Sequence, residues 1–371
     1  MIMLLSLEQC GFRNLKEFSL EFSDGITIIS GQNGHGKSNL LEAIHIICQG
    51  FSFKTKTLQE AIYWNANHFI LRAKTVAAFD GRNEAAIQVD NSGIKGKLSG
   101  KEFRRASALF GSAPLVFISP EDIRLAKGTP ENRRSFLDEL LCYCKKSNLD
   151  LLRRYRRVLQ QRNRWLKDNL EGNAAGGEYL FEALTEQLAS LAVLVWEERK
   201  ELCGILEPHI NNFYQILCNK SEEIKFSYAR ALSKEDFLKS LREKFNAERA
   251  TGATLAGPHR DDIELFLQGH SMRDFGSQGQ CRSIALAMKF AAAEIIEKHS
   301  GAKPILLLDD VFAELDHSRR EAVAKIVKQK ECQTFAATPS KEDLPFQGDS
   351  CLDIGEGSVM LGSFCKAILV R

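Results

Sequence analysis

Short apolar runs alternate with polar punctuation over the first hundred residues, and their period is that of strands. Leu4–Cys10 and Phe18–Phe22 read as a hairpin, although the link through Gly11, Phe12, Arg13 and Asn14 is longer than the tightest turns. Ile26–Ser30 is a β-rich run that stops at Gly31. Beyond it the period changes. Apolar residues at 40, 41, 44 and 47 share one face of a helix over Lys37–Cys48. Strand-like segments return at Phe69–Phe79, Glu84–Val89 and Leu115–Ile118.

The middle of the chain carries a helical pattern. Thr129 and Pro130 make an N-cap and first-turn pair, followed by apolar positions 136, 137, 140 and 141. A second helix is expected from about Asn148 to Asp168 and a third from about Tyr179 to Leu217, with a break near Gly204 and Pro208. Asn169–Gly177, small and glycine-rich, suits a link between antiparallel helices. Ser233–Arg249 adds a helix, and strands are expected again at Thr254 and Asp262–Leu267. The last third alternates: helix 279–299, strand Ile305–Asp309, helix 316–330, strand Cys332–Ala337. Helices between short apolar strands imply an α/β fold with parallel pairing. The simplest layout is a head built from both chain ends, 1–122 and 250–371, with a mainly helical lobe, 123–249, inserted in it.

Composition narrows the setting. With 371 residues, 44% of them hydrophobic, the chain can bury a large core or two coupled ones. A formal net charge of +2 argues neither for nor against a polyanionic partner, so any nucleic-acid surface has to be local. The ten cysteines form no CxxC, which suits reduced thiols in a cytosolic protein better than a disulfide framework or a zinc site. The apolar start, Met1–Leu7, is short, lacks a basic leader and reads as a strand rather than a signal peptide. No apolar run approaches the length that spans a bilayer. These observations lead to an expectation of a soluble cytoplasmic protein with no membrane association.

The candidate chemistry begins at Gly31-Gln32-Asn33-Gly34-His35-Gly36-Lys37-Ser38, which fits G-x-x-x-x-G-K-[ST] between an expected strand and an expected helix. Glycines let successive backbone N–H groups turn toward phosphate oxygens, and the helix N-terminus adds its positive dipole end. Lys37 can reach the β- and γ-phosphates of ATP, and the Ser38 hydroxyl can complete Mg²⁺ coordination. Asn39 follows directly and is counted with the nucleotide site. A chance match in a chain this long is on the order of one in a hundred. The site is therefore expected to take ATP and Mg²⁺.

Such a loop needs carboxylates for metal and water, and Ile305–Asp310 supplies an apolar strand ending in two acids. Neighbouring side chains of a strand point to opposite faces, so Asp309 is assigned to Mg²⁺ and Asp310 to the attacking water. Phe275–Gln280 precedes a long helix. Ser277, Gly279 and Gln280 there read either as an ordinary helix cap or as a second anion site, which a second copy of the chain would bring to the γ-phosphate. Asp316 reads as a helix N-cap, as a dimer-interface residue, or as both.

Taken in order, these elements resemble those of the ABC-type ATPases, and the spacing resembles the SMC and RecF branch. "GFRN" at 11–14, "NGHGKSNLLEAI" at 33–44, "SPEDIRLAKGTPENRRSFLD" at 119–138, "GPHRDD" at 257–262, "FGSQGQCRSIALAMK" at 275–289 and "LLLDDVFAELD" at 306–316 are similar to blocks of the bacterial RecF family over nearly the whole chain. The resemblance implies an ABC/SMC-type P-loop head with an inserted all-helical lobe. It also implies a DNA-repair ATPase that forms an ATP-dependent homodimer, binds single-stranded and gapped duplex DNA, and helps load recombinase with RecR and RecO partners. Two other readings stay open, a transporter's nucleotide-binding subunit and an SMC-like structural ATPase. Transporter-type ATPases carry a glutamine where this chain has Ser119-Pro120-Glu121-Asp122, and a histidine where it has Phe335-Ala336-Ala337-Thr338. Asp310 likewise stands where transporters and SMC proteins have glutamate. No γ-phosphate sensor is assigned on this pattern, and hydrolysis is expected to be slow.

For DNA, Arg153, Arg154, Arg156, Arg157, Arg162 and Arg164 flank an apolar stripe of Leu151, Leu152, Tyr155, Val158, Leu159 and Leu166. That basic face reads as a phosphate-contacting surface centred on Arg153, Arg156 and Arg157, as a solvated face, or as a partner for the acidic stretch 197–201. Lys54 and Lys56 are further DNA-facing candidates. Arg133 and Arg134 sit in a helix's first turn, where the dipole disfavours them, which points to an anionic partner. His259 and Arg260 receive no role.

Overall fold

The computed structural model describes residues 2–77, 81–170, 177–228 and 231–361, so Phe79 and most of the expected helix link at 169–177 lie outside the described residues. The chain forms two compact units: Met1–Asp122 with Ile216–Asn219 and Lys289–Arg371, and Ile123–Gln215 with Lys220–Met288.

The first unit is built on two six-stranded sheets, with strands numbered here along the whole chain. One sheet comprises β1 (Met3–Cys10), β2 (Phe18–Glu21), β4 (His68–Ala77), β5 (Gly81–Asp90), β6 (Gly93–Leu98) and β7 (Lys101–Phe103), in the order β2-β1-β4-β5-β6-β7 and antiparallel throughout. The expected hairpin of β1 and β2 is present. The other comprises β3 (Ile26–Ser30), β8 (Leu115–Ile118), β12 (Ile305–Asp309), β13 (Thr334–Thr338), β14 (Ser350–Gly355) and β15 (Ser358–Leu361), in the order β15-β14-β3-β13-β12-β8. It is parallel except for the β14–β15 hairpin. β3, β12 and β13 are buried along nearly their whole length, the mark of strands covered on both faces. Helix Lys37–Gln49 places Leu40, Leu41, Ile44 and Ile47 in a core shared with both sheets, among them Leu7, Leu71, Leu307 and Phe335. Gln333, fully buried, joins the sheets through its amide. Its oxygen accepts the Leu4 N–H at 2.7 Å and its nitrogen donates to Leu4 O at 2.9 Å, beside the bulge in β1.

The second unit consists mainly of helices Pro130–Cys144, Lys146–Leu170, Gly177–Cys218 and Lys234–Thr251. It is not wholly helical. β9 (Ile224–Tyr228), β10 (Ile263–Leu267) and β11 (His270–Ser271) form an antiparallel sheet in the order β11-β10-β9. Pairing of β10 with β9 draws 250–288 into this unit, whereas the chain pattern set the lobe's end at 249. The expected break near Gly204 and Pro208 does not occur. Helix Gly177–Cys218 runs through Pro208, and the burial of Leu202, Leu206, Ile210 and Phe213 outweighs the roughly 3 kcal/mol that an interior proline costs.

Buried polar groups organise this unit. Arg162, grouped above with the outward arginines, is 1% exposed and pairs with Glu248 at 2.7 Å. Its remaining N–H groups donate to Thr254 and Thr185. Thr254 forms no strand; its backbone N–H and hydroxyl both bond Asn163. Arg133 finds its anion inside the unit, bound to both oxygens of Asp262. His259 accepts or donates at Tyr155 Oη, 2.7 Å away, and burial lowers its pKa to about 4. Trp196 and Tyr228 both donate to Asp261, and Arg199 joins Asp138 to the carbonyl of Pro258. At Gly257 (φ +126°) a Cβ would lie 3.0 Å from Tyr155 Oη, so the "GPHRDD" stretch is a hub of internal hydrogen bonds.

Removing one partner of a buried ion pair strands the other. Arg162→Met is expected to destabilise the unit by roughly 3–5 kcal/mol, and Arg162→Met with Glu248→Met to recover most of it. Urea unfolding followed by far-UV circular dichroism tests this. A double variant no more stable than the single one would remove the pair from its central place.

Candidate functional site

The glycine loop follows β3 and opens helix Lys37–Gln49, with Gly36 as its N-cap at φ +117°. Two of its glycines are required by contact as well as by conformation. A Cβ at Gly31 would lie 2.3 Å from Ile354 O, and one at Gly36 2.8 Å from Leu15 Cδ2. Gln32, Asn33 and Gly34 form the exposed crest, and His35 accepts the Gly357 N–H through its carbonyl. Lys37 is 5% exposed and folds inside the loop, donating to Gly31 O at 2.8 Å and Gln32 O at 3.2 Å. An anion seated in the loop competes with these neutral carbonyls for the ammonium.

Parallel pairing explains the next contact. β13 lies between β3 and β12, with Thr338 opposite Ser30 and Ala337 opposite Asp309, so all three strands end on one edge. Ser38, one residue into the helix after β3, thereby meets Asp309, and its Oγ donates to Asp309 Oδ1 at 2.9 Å. Open parallel sheets bind ligands at this edge. Burial raises the Asp309 pKa, and the Ser38 hydrogen bond works against that rise. Asp310 is held differently. It adopts φ +54°, its N–H donates to Ala337 O at 3.1 Å, and its Oδ1 is buried with no hydrogen-bond partner. Burial raises its pKa as well. The two acids thus occupy distinct environments, one tied to the helix hydroxyl and one with an unsatisfied oxygen.

Arg13, Asn14 and Glu42 make contacts beside the loop that sequence chemistry did not assign. Arg13, at φ +50°, makes a bidentate pair with the fully buried Glu42 at 2.9 and 2.7 Å. Asn14 donates to Gly34 O at 3.2 Å and accepts from Asn39 at 2.7 Å. The only signal for Arg13 and Asn14 was the recognisable "GFRN" block, and for Glu42 the block at 33–44, because a lone Arg-Asn pair or a helix glutamate carries no motif of its own. Lys54, considered above for DNA, donates to Asn39 Oδ1 at 2.6 Å and lies 3.9 Å from Glu42, and burial lowers its pKa. It therefore touches the glycine-loop site, and Lys54 and Lys56 are both exposed. Asp122 accepts the Ser119 N–H and pairs with Lys289 at 3.0 Å, and Thr338 donates to Ser340 O. Asp316 caps helix His317–Lys330, accepting the Arg319 N–H at 2.9 Å, a bond that lowers its pKa.

Ser277, Gly279, Gln280 and the basic helix face belong to the second unit. Ser277 Oγ accepts the Gln280 N–H at 3.2 Å, and Gln280 Oε1 accepts the Ser277 N–H at 3.0 Å. That reciprocal pair is a capping box, and it explains both residues locally at the start of helix Gln278–Ser300. Gly279 O accepts the Ser283 hydroxyl at 2.9 Å. Arg153, Arg156 and Arg157 are exposed; Arg153 pairs with Asp150 at 3.7 Å and Arg156 with Asp138 at 3.1 Å.

Comparison with known proteins gives a consistent picture. The RecF/RecN/SMC N terminal domain family matches residues 3–353. DNA replication and repair protein RecF of Heliobacterium modesticaldum is 36% identical over 344 residues, 90% of this chain and 91% of that protein. The protein of the same name from Geobacter sulfurreducens is 34% identical over 346 residues, 91% of this chain and 93% of the relative. Among solved structures, the recombination mediator protein RecF bound to ATP superimposes with a TM-score of 0.89 at 31% identity, covering 98% of both chains. An Smc head bound to the winged-helix domain of ScpA superimposes at 0.58 with 17% identity, a likeness of fold alone. No helix among the described residues is long and apolar enough to cross a membrane.

The raised pKa of Asp310 carries a sign. The folded state holds this proton to higher pH than the unfolded chain does. Stability associated with it is therefore full below the unfolded value and lost as pH rises through the folded one. Asp310→Asn keeps a residue tolerant of positive φ. Without nucleotide it is expected to melt above the wild type at neutral pH, with the gain vanishing below the carboxylate range. Thermal melting across pH checks this, and a variant that melts at or below the wild type at neutral pH would contradict it.

Proposed function

The chain belongs to the RecF family, and on that premise we propose that it is an ATP-switched DNA repair protein. ATP binds the loop at 31–39 and drives two copies together over single-stranded or gapped DNA. The observation that carries the reading is the meeting of Ser38 and Asp309 beside a buried lysine inside a glycine loop. That arrangement is suited to a nucleotide triphosphate with its metal. Lys37 would exchange its loop carbonyls for phosphate oxygens. Ser38 and Asp309 supply the two protein ligands that Mg²⁺ takes when phosphates and waters complete its shell. The ion would neutralise charge developing on the phosphates. Asp310, whose free oxygen is unsatisfied within the chain, would orient the attacking water.

Ser277, Gly279 and Gln280 would meet the γ-phosphate of the opposing copy, with Asp316 at the shared interface. The capping box of Ser277 and Gln280 would leave their helix end ordered before a partner arrives. Hydrolysis is slow in this reading, because Ser119–Asp122 and Phe335–Thr338 lack the glutamine and histidine of transporter-type ATPases. Arg153, Arg156 and Arg157, together with Lys54 and Lys56, supply phosphate contacts. The protein acts in the cytoplasm with RecR- and RecO-type mediators that load recombinase at gaps. Transporter and structural-ATPase readings are not favoured, since the relatives matched along nearly the whole chain carry the repair name.

Sedimentation with ATP, with and without gapped duplex DNA, tests the switch. The wild type is expected to dimerise, Lys37→Ala to lose nucleotide-dependent association, and Ser277→Arg to bind ATP yet stay monomeric. An ATP-induced dimer of Ser277→Arg would remove the composite site. Neutralising Arg153, Arg156 and Arg157 together is expected to lower DNA affinity and reduce the slope of log affinity against log salt by about two to three. An unchanged slope would make this face a bystander.

A further inference from the structure

We propose that the helical unit carries a peptide-docking groove whose occupant is a basic segment of a partner protein, presenting an apolar side chain next to a lysine or arginine. The groove lies between the end of helix Lys146–Leu170, the start of helix Gly177–Cys218 and helix Lys234–Thr251, and encloses about 520 Å³. That volume falls among ligand pockets of roughly 300–1,000 Å³ and holds a few side chains, not a folded domain.

Its floor is aromatic and firmly held. Trp165 and Phe181 lie 4.4 Å apart between ring centroids, and Phe181 and Phe245 5.3 Å, with Leu238 beside them. The Arg162 guanidinium covers Phe181 at 4.7 Å while its nitrogens bond Glu248, Thr254 and Thr185. Trp165 is 6% exposed, and its indole N–H is buried without a hydrogen-bond partner. Buried indole donors ordinarily find an acceptor, and the backbone carbonyl of an entering peptide would supply one.

The rim gives the occupant its sign. Glu178, Glu182 and Glu186 recur every fourth residue of one helix and so form a single row. Glu186 is paired with Lys234 at 2.9 Å, whereas Glu178 and Glu182 are exposed, and Arg242 is the rim's cation. An apolar floor under an acidic row fits a segment with an apolar anchor and a flanking cation, the arrangement of side-chain pockets that read short peptides. Neither the nucleotide site nor the arginine face uses any of these residues except Arg162, which is buried below.

A phage-displayed library of random short peptides, selected on the full chain without nucleotide or DNA, tests the groove independently of the ATP switch. Recovered binders are expected to pair Leu, Ile, Met or Phe with Lys or Arg. A synthetic peptide of the recovered sequence, read by fluorescence anisotropy, is expected to bind Glu178→Lys/Glu182→Lys at least about tenfold more weakly. Glu178→Gln/Glu182→Gln should lose several-fold, and Trp165→Phe, which keeps the ring but not the N–H, should also lose several-fold. Unchanged thermal melting and ATP binding of the two Gln and Phe variants keep the comparison free of unfolding. Recovery of no binder, binders lacking basic residues, or equal affinity for the charge-reversed variant would overturn the proposal. So would a nucleotide-independent dimer abolished by Glu178→Lys/Glu182→Lys, since a second copy would then be the occupant.

Discussion

A single hydrogen bond from Ser38 to Asp309 joins positions 271 residues apart, and the architecture of the first unit exists around that meeting. It depends on three parallel strands ending level. β13 sits between β3 and β12, so the helix after β3 and the acid ending β12 arrive on the same edge. Parallel strands must be joined by crossovers that cover both faces, which is why these strands are buried nearly throughout. Covering them also desolvates the acids at their ends. The buried core and the raised pKa values of Asp309 and Asp310 therefore have one cause.

Several features of the site run against stability. Asp310 holds a left-handed backbone conformation and an unsatisfied oxygen, and Lys37 is buried with only neutral carbonyls and an amide as partners. Each is a local cost that the surrounding sheets over-determine. A bound triphosphate would offer the Lys37 ammonium charged oxygens in place of these neutral carbonyls. Arg13, Glu42, Asn14, Asn39 and Lys54 form the surrounding brace, so the loop does not depend on its own glycines alone for shape.

The second unit solves a different problem. Its helices carry many arginines, and the ones that face inward are neutralised in pairs: Arg162 with Glu248, Arg133 with Asp262, Arg199 with Asp138. Buried pairs of this kind add little net stability over apolar substitutes, but removing one partner leaves an uncompensated buried charge and is costly. The stretch Gly257–Asp262 supplies or contacts members of most of these networks. Of the arginines left outside, Arg153 and Arg156 keep surface ion pairs with Asp150 and Asp138.

How much was legible followed from how local each determinant is. The glycine loop, the helix after it, the buried strand ending in Asp309 and Asp310, and the caps at Thr129, Ser277 and Asp316 were readable because spacing along the chain alone determines them. β9, β14 and β15 were not, since short strands of mixed polarity gain their identity only from a neighbour, as did the membership of 250–288 in the helical unit. Helix Gly177–Cys218 crosses Pro208 because packing outweighs a local preference. The sequence by itself picked out the residues expected to cradle phosphate and hold a metal. Only tertiary structure decided that Arg162 turns inward to Glu248, that Lys54 touches the glycine-loop site, and that Arg13 braces Glu42. A charged side chain's role depends on which partner and how much water surround it, and neither is written in its neighbours along the chain.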